Sequence, residues 1–279
     1  MTYRSIFVHV DDGDDTARRL DIATRLATMY PAELVGAYLV PGHNPSPFTS
    51  AMMASEIVRR RMRQNVDDVR AAEARFRAAA TAAGVDQVAW RSPFGDPFDV
   101  AVLESRYSDL AVLGQPDRDH PNAAFNTELA NAVLMLSGRP VLFVPVYGVE
   151  KTLGERILIA WKDSRESARA VADALPLLKD AKEVHAVAIT PDEDESRRDT
   201  RTDQQVRHFL SRHNVDAVVK RVVAQDIDAG ELLLSHAADI SADLIVMGGY
   251  SRPRITQLVW GGVTSVLLNS MTIPVLMSH

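Results

Sequence analysis

The residues best suited to chemistry lie late in the chain. There Gly248-Gly249-Tyr250-Ser251-Arg252-Pro253-Arg254 is followed by Ile255–Trp260 and then by Gly261-Gly262-Val263-Thr264. Glycines let backbone amides come close to an anion, and a helix N-terminus after such a turn adds its dipole. Arg252 and Arg254 add two cations. The chemistry implied is the holding of a phosphate, on amides from Gly248 to Arg252 and from Gly261 to Val263, rather than the making of a bond. The same residues have plainer roles to weigh: Gly248 as a tight strand exit, Gly261-Gly262 as a point of close helix packing, and the arginines as solvated charges. A second candidate feature is the acid that ends a short apolar run. Asp11-Asp12 closes Ile6-Phe7-Val8-His9-Val10, and Lys162-Asp163 closes Ile157-Leu158-Ile159-Ala160-Trp161. A carboxylate at such a place faces a ligand or caps the next helix; capping is the expectation for Asp12 and Asp163. Trp161 and Trp260 read as packing residues first and as adenine platforms second.

Other chemistry is sparse. The chain has no cysteine, which removes disulfides, thiolate metal sites and a cysteine nucleophile together. Of the histidines, His208 and His213 are five apart and miss the i, i+4 helical face of a two-histidine metal site. His9 sits inside an apolar run as an expected core histidine, and His43, His120, His185, His236 and His279 are scattered. No metal site is expected. No Gly-x-Ser-x-Gly elbow and no Gly-x-x-x-x-Gly-Lys-Ser/Thr loop occurs. Arg59-Arg60-Arg61 and Arg63 are followed by Asp67, Asp68 and Glu73, the pattern of a solvated helix face.

The elements that must position these residues come in two sets. Asp109-Leu110-Ala111-Val112-Leu113-Gly114 parallels Asp243-Leu244-Ile245-Val246-Met247-Gly248, and Pro140-Val141-Leu142-Phe143-Val144 parallels Pro274-Val275-Leu276-Met277. Gly114 to Pro140 and Gly248 to Pro274 are each 26 positions apart, so the chain is a repeat of one fold. Continuous apolar strands are expected near 5–10, 33–40, 86–91, 109–114 and 140–145, and again near 155–161, 183–189, 217–223, 243–248 and 273–277. Helices are expected near 15–29, 51–83, 97–107 and 122–137, then near 164–178, 199–213, 229–240 and 255–270. Strands without polar alternation that alternate with helices give an α/β fold. The reading is two similar doubly wound domains, each a five-stranded, mostly parallel sheet flanked by helices. Their expected bounds are 1–147 and 154–279, with the glycines Gly148 and Gly154 in the linker. The formal net charge of −6 gives no electrostatic footprint for nucleic acid or for an anionic membrane. No apolar run reaches bilayer length, and Met1–Ile6 leads into Asp11-Asp12 without a signal peptide's apolar stretch. A soluble cytoplasmic protein is expected.

With these motifs in view, both halves resemble the universal stress protein family in its tandem form, of the adenine-nucleotide alpha-hydrolase-like fold. Nucleotide-binding members carry a glycine, two residues, a second glycine, nine residues, and a glycine followed by Ser or Thr. On the second half this pattern falls on Gly248, Ser251, Gly261 and Gly262, two positions of four matching. On the first half it falls on Gly114, Asp117, Thr127 and Glu128, a degenerate phosphate loop. The family's aspartate near adenine and ribose corresponds to Asp11 in the first half and to Lys162, next to Asp163, in the second. The resemblance implies a stress-response role and binding of ATP or a related adenine nucleotide, at most in the second half, through Gly248, Ser251, Arg252, Gly261, Gly262, Lys162 and Asp163, with Asp11 a further candidate should the halves share a composite site. Magnesium would enter as the nucleotide's counter-ion only, and any enzymatic activity would be no more than slow ATP hydrolysis. The alternative it implies is a regulatory interaction module that binds no nucleotide. The resemblance further implies pairing of the two halves through their last strands, or a homodimer, with the protein partner unspecified.

Overall fold

The computed structural model describes residues 2–13, 15–41, 56–91, 95–116, 122–148, 152–190, 200–224, 228–249 and 262–279. By its internal contacts the chain divides into two compact units, Thr2–Arg139 and Pro140–His279. In the first, β1 (Ser5–Val10), α1 (Thr16–Met29), β2 (Glu33–Tyr38), α2 (Glu56–Ala82), β3 (Val88–Arg91), α3 (Pro97–Arg106), β4 (Leu110–Gly114) and α4 (Ala123–Leu136) follow one another. The strands lie in the order β3-β2-β1-β4, all parallel. Ile6, Phe7 and Val8 of β1 have no exposed surface, as expected for a strand covered on both faces. Helix α1 packs on β1, β4 and α2, while α3 packs on α4 and β1.

The second unit starts with β5 (Val141–Val144), the last strand of the first sequence repeat. It continues with β6 (Arg156–Trp161), α5 (Arg165–Asp173), α6 (Leu175–Asp180), β7 (Glu183–Thr190), α7 (Thr200–Arg212), β8 (Val218–Val223), α8 (Ala229–Asp239), β9 (Leu244–Gly248), α9 (Gly262–Ser270) and β10 (Val275–Ser278). The strand order is β5-β10-β9-β6-β7-β8. All neighbours are parallel except β5 and β10, which run antiparallel with Leu142 opposite Leu276. The two Pro-Val strands that close the sequence repeats thus lie side by side, which is why β5 groups with the second unit.

The expected helix over 164–178 forms as two, α5 and α6, divided at Ala174. Pro176 supplies the reason: it has no N–H to continue the helical ladder and is tolerated only in a first turn. The expected helix over 255–270 lies within the described residues only from Gly262 on. Each repeat also uses one aspartate to fasten its first strand. Asp109, before β4, accepts from the amides of Arg4 and Ser5 at 2.7 and 3.2 Å. Asp243, before β9, accepts from those of Glu155 and Arg156, both at 3.0 Å. Among the described residues no helix is long and apolar enough to cross a membrane.

Candidate functional site

In each unit the chain leaves its first strand in one direction along the sheet and crosses to the other side for the fourth strand of its repeat. The carboxyl ends of β1 and β4, and likewise of β6 and β9, are therefore the switch points at which open α/β sheets bind ligands. Asp11 and Gly114 stand at the first of these places. Lys162, Asp163 and Gly248 stand at the second.

The first switch point is filled from within. Arg19 lies on the buried stripe of α1 with Thr16, Leu20, Ala23 and Leu26, and is 1% exposed. Its guanidinium reaches back to the end of β1. Nη1 donates to His9 Nδ1 at 2.8 Å and to Asp11 Oδ2 at 3.2 Å, while Nη2 donates to Asp11 Oδ1 at 3.1 Å and to Asp15 Oδ2 at 3.0 Å. Asp11 also accepts from the Gly13 amide at 3.0 Å and from the Thr16 hydroxyl. A guanidinium only donates, so His9 Nδ1 must accept, and His9 Nε2 carries the hydrogen and donates to the Leu39 carbonyl at 2.7 Å. Burial, with Arg19 reinforcing it against Asp11, holds His9 below the ordinary histidine range. Burial alone would raise the Asp11 pKa, but the Arg19 cation, helped by Thr16 and Gly13, outweighs it and holds the carboxyl below the usual range.

Gly114 makes this packing possible. A Cβ there would lie 2.8 Å from Asp15 Oδ2 and 3.2 Å from Arg19 Cζ. What remains open among His9, Asp11, Asp15, Arg19, Gly114 and Asn126 is a cavity of about 10 Å³, the size that admits a single water. Thr127 and Glu128 belong to α4, where Thr127 Oγ1 donates to the Ala123 carbonyl; Asp117 lies outside the described residues.

The second switch point is built otherwise. Positions related by 151 along the repeat (162 − 11) put Ala160 where the first unit has His9, Lys162 for Asp11, Glu166 for Asp15, Ser167 for Thr16 and Ala170 for Arg19. No long side chain reaches in from Ala170. Instead the start of α5 sits directly on β9: a Cβ on Gly248 would lie 2.6 Å from the backbone of both Glu166 and Ser167. Gly248 is accordingly a packing glycine. The Gly249 amide donates to the Ser278 carbonyl at 2.9 Å, so this member of the expected phosphate-holding amides is already engaged within the sheet. Gly262 opens α9 on the surface, and among the described residues a Cβ there would meet nothing within 4 Å. Lys162 and Asp163 are both exposed. Ser251, Arg252, Gly261 and Trp260 lie outside the described residues. Asp11 belongs to the other unit.

The capping expectation for Asp12 and Asp163 is corrected. The N-cap of α5 is Ser164, whose Oγ accepts from the Ser167 amide at 3.2 Å. Asp15 stands at the N-cap of α1 but makes no side-chain capping bond, since its carboxylate holds Arg19. Asp12 accepts instead from the Tyr38 hydroxyl and from Arg75 Nη2 at 3.1 Å.

Sequence reasoning missed Arg19 entirely. The signal was an arginine on the apolar stripe of α1, four residues after one acid and eight after another. It also treated His185 and His236 as scattered, whereas the fold brings their rings to a centroid distance of 6.5 Å, with His185 Nε2 2.6 Å from Glu183 Oε1.

Residues 154–279 match the model of the universal stress protein family. The second repeat is thus similar to a universal stress protein domain. No curated protein matches the chain. Among solved structures, a universal stress protein from Archaeoglobus fulgidus DSM 4304 is 18% identical, with 98% of this chain and 94% of that one covered at a TM-score of 0.72. A functionally unknown protein from Pseudomonas aeruginosa PAO1 is 16% identical over 98% of this chain and 92% of that one, with a TM-score of 0.61. The cytoplasmic domain of a prokaryotic cation chloride cotransporter is 11% identical over 99% and 95%, with a TM-score of 0.54. At these identities the likeness is one of fold, and the fold extends over both repeats. A fold carried by a stress protein and by a transporter's domain leaves function to the site.

Proposed function

We propose that the chain is a tandem universal stress protein acting in the cytoplasm, with domains over 1–147 and 154–279, that binds ATP or a related adenine nucleotide in the second domain alone and answers stress through that occupancy. The observation that carries this reading is the contrast between the switch points. The first is filled by Arg19 and lined by Asp11 and Asp15, which repel phosphate. The second has Lys162 and Ala170 in place of Asp11 and Arg19 and belongs to the segment matched by the family model. Gly262, at the start of α9 with open space beside it, is a place where a phosphate can approach a helix N-terminus. Ser251, Arg252 and Gly261 are the proposed further contacts, Asp163 a neighbour on the ribose side, and magnesium the counter-ion of the nucleotide. Titration of the whole chain with labelled ATP and magnesium tests it: one saturable site supports the reading, and no saturable binding at millimolar nucleotide removes it.

A second reading is a regulatory interaction module without nucleotide. Two observations favour it: Gly248 has a packing reason, and the Gly249 amide is already engaged. Mass spectrometry of protein purified without added nucleotide separates the two, because a co-purifying adenine nucleotide supports the first and its absence, together with failed titration, supports the second.

A further inference from the structure

We propose that the switch point of Thr2–Arg139 is a guanidinium-binding site whose permanent occupant is the chain's own Arg19, a tethered cation that closes this unit to other guanidinium ligands. The site has the features of recognition rather than of incidental contact. Two carboxylates, Asp11 and Asp15, and the lone pair of His9 Nδ1 converge on both terminal nitrogens of one planar group. The acceptors are themselves fixed: Asp11 by the Gly13 amide and the Thr16 hydroxyl, and His9 by its bond to Leu39. Gly114 leaves the room that the guanidinium and the Asp15 carboxylate occupy.

A second observation points the same way. Arg19 Nε is buried with no partner among the described residues, so the stem was brought inside at the cost of one unmet donor while both terminal nitrogens were placed on acceptors. The fork is what the pocket satisfies. In the other unit the members change together, with Ala160, Lys162 and Ala170 in place of His9, Asp11 and Arg19. His9, Asp11 and their occupant Arg19 are present together or absent together, while Asp15 keeps an acid counterpart in Glu166, as expected if the Asp11 carboxylate and the histidine are there for the cation. The ligand class follows: a planar monocation with paired donors, which an ammonium ion cannot imitate.

Chemical rescue tests this on the full-length chain. Arg19→Ala should lower the melting temperature, and millimolar ethylguanidinium should restore part of the loss saturably, as a ligand that binds only the folded state does. Equal concentrations of ethylammonium or sodium chloride should not, and the wild type should show no such rise. Equal effects of the three salts, or none, overturn the proposal. A second measurement covers the case in which Arg19→Ala does not fold. In nitrogen-15 spectra of the wild type, the Arg19 Nη hydrogens should be protected from exchange and distinct from one another, and missing from Arg19→Lys; averaged, fast-exchanging signals overturn the proposal. ATP stoichiometry is read alongside. The same number of sites in Arg19→Ala as in the wild type, whether none or one, agrees with a cation site. An added ATP site in the variant contradicts it, and either result is separate from the fate of the nucleotide reading in the second unit.

Discussion

Arg19 shows how much one side chain can decide. Removing it by Arg19→Ala leaves Asp11 as a buried, uncompensated carboxylate beside half-buried Asp15, and breaking such a pair costs on the order of 3–5 kcal/mol; denaturant unfolding of the variant measures this directly. The same cluster gives the unit a pH dependence of known sign. His9 is held neutral when folded, so below its unfolded value of about 6.5 the unfolded chain takes up a proton that the folded one refuses, and stability falls with pH. Asp11 acts lower: its folded pKa is depressed, so its contribution is present above about 3.9 and is lost as pH falls through the folded value. Melting temperatures from pH 8 to pH 5 should therefore drop, and His9→Gln, which retains a donor for Leu39 without titrating, should flatten part of that drop. The glycines separate as sharply. Gly248→Ala forces a methyl into the α5 backbone and should cost about 1–3 kcal/mol as overpacking, whereas Gly262→Ala should leave stability unchanged or raise it by up to about 1 kcal/mol. Should Gly262→Ala instead unfold the domain, the open space read beside it is wrong.

At the scale of elements, the repeat explains most of what was legible. The apolar runs gave the strands close to their observed bounds because strands such as β1 and β4, buried on both faces, leave no polar alternation to misread. Helix interiors were equally plain, but the break at Ala174 was not, because a proline in a helical pattern marks either an end or a first turn and the pattern alone does not choose. Caps were misassigned where several acids adjoin: among Asp11, Asp12 and Asp15 the choice depends on Arg19, Tyr38 and Arg75, which arrive from along the chain or from across the fold. Where one acid precedes a proline or a small residue the cap is clean. Asp96 accepts from the amides of Phe98 and Asp99 ahead of α3, and Asp228 from that of Gly230 ahead of α8. Asp96→Ala and Asp228→Ala should each cost about 1 kcal/mol, additively, since they cap helices of different units. A double variant no less stable than either single one would show that the two caps do not act independently.

For the whole molecule, the division into units does not follow the sequence repeat. The repeat ends after β5, yet β5 pairs with β10 and groups with the second unit. Sequence similarity identifies copies, whereas contacts decide which strand shares a core, and only the second depends on what lies beside an edge. A fragment starting at residue 154 would retain every strand of the family match but lose β5, leaving fully buried Val275, Leu276 and Met277 on an open edge. Exposed apolar edge strands recruit another chain. Such a fragment should self-associate in sedimentation; a monomeric 154–279 fragment at roughly tens of micromolar, on the order of ordinary dimer affinities, would count against this account.

The joint replacement of His9, Asp11 and Arg19 by Ala160, Lys162 and Ala170 also constrains how the two copies could have diverged. Arginine placed at fully buried Ala170 with Lys162 still present would bring an unpaired cation inside. Loss of Arg19 with Asp11 still present would strand an anion. Either intermediate would forgo a few kcal/mol from a domain whose whole stability is roughly 5–15 kcal/mol. Whichever residue changes first, divergence of the copies must cross such a gap unless cation and carboxylate change together, and a duplicated chain, in which one copy stays intact while the other crosses it, is the setting in which such a step survives.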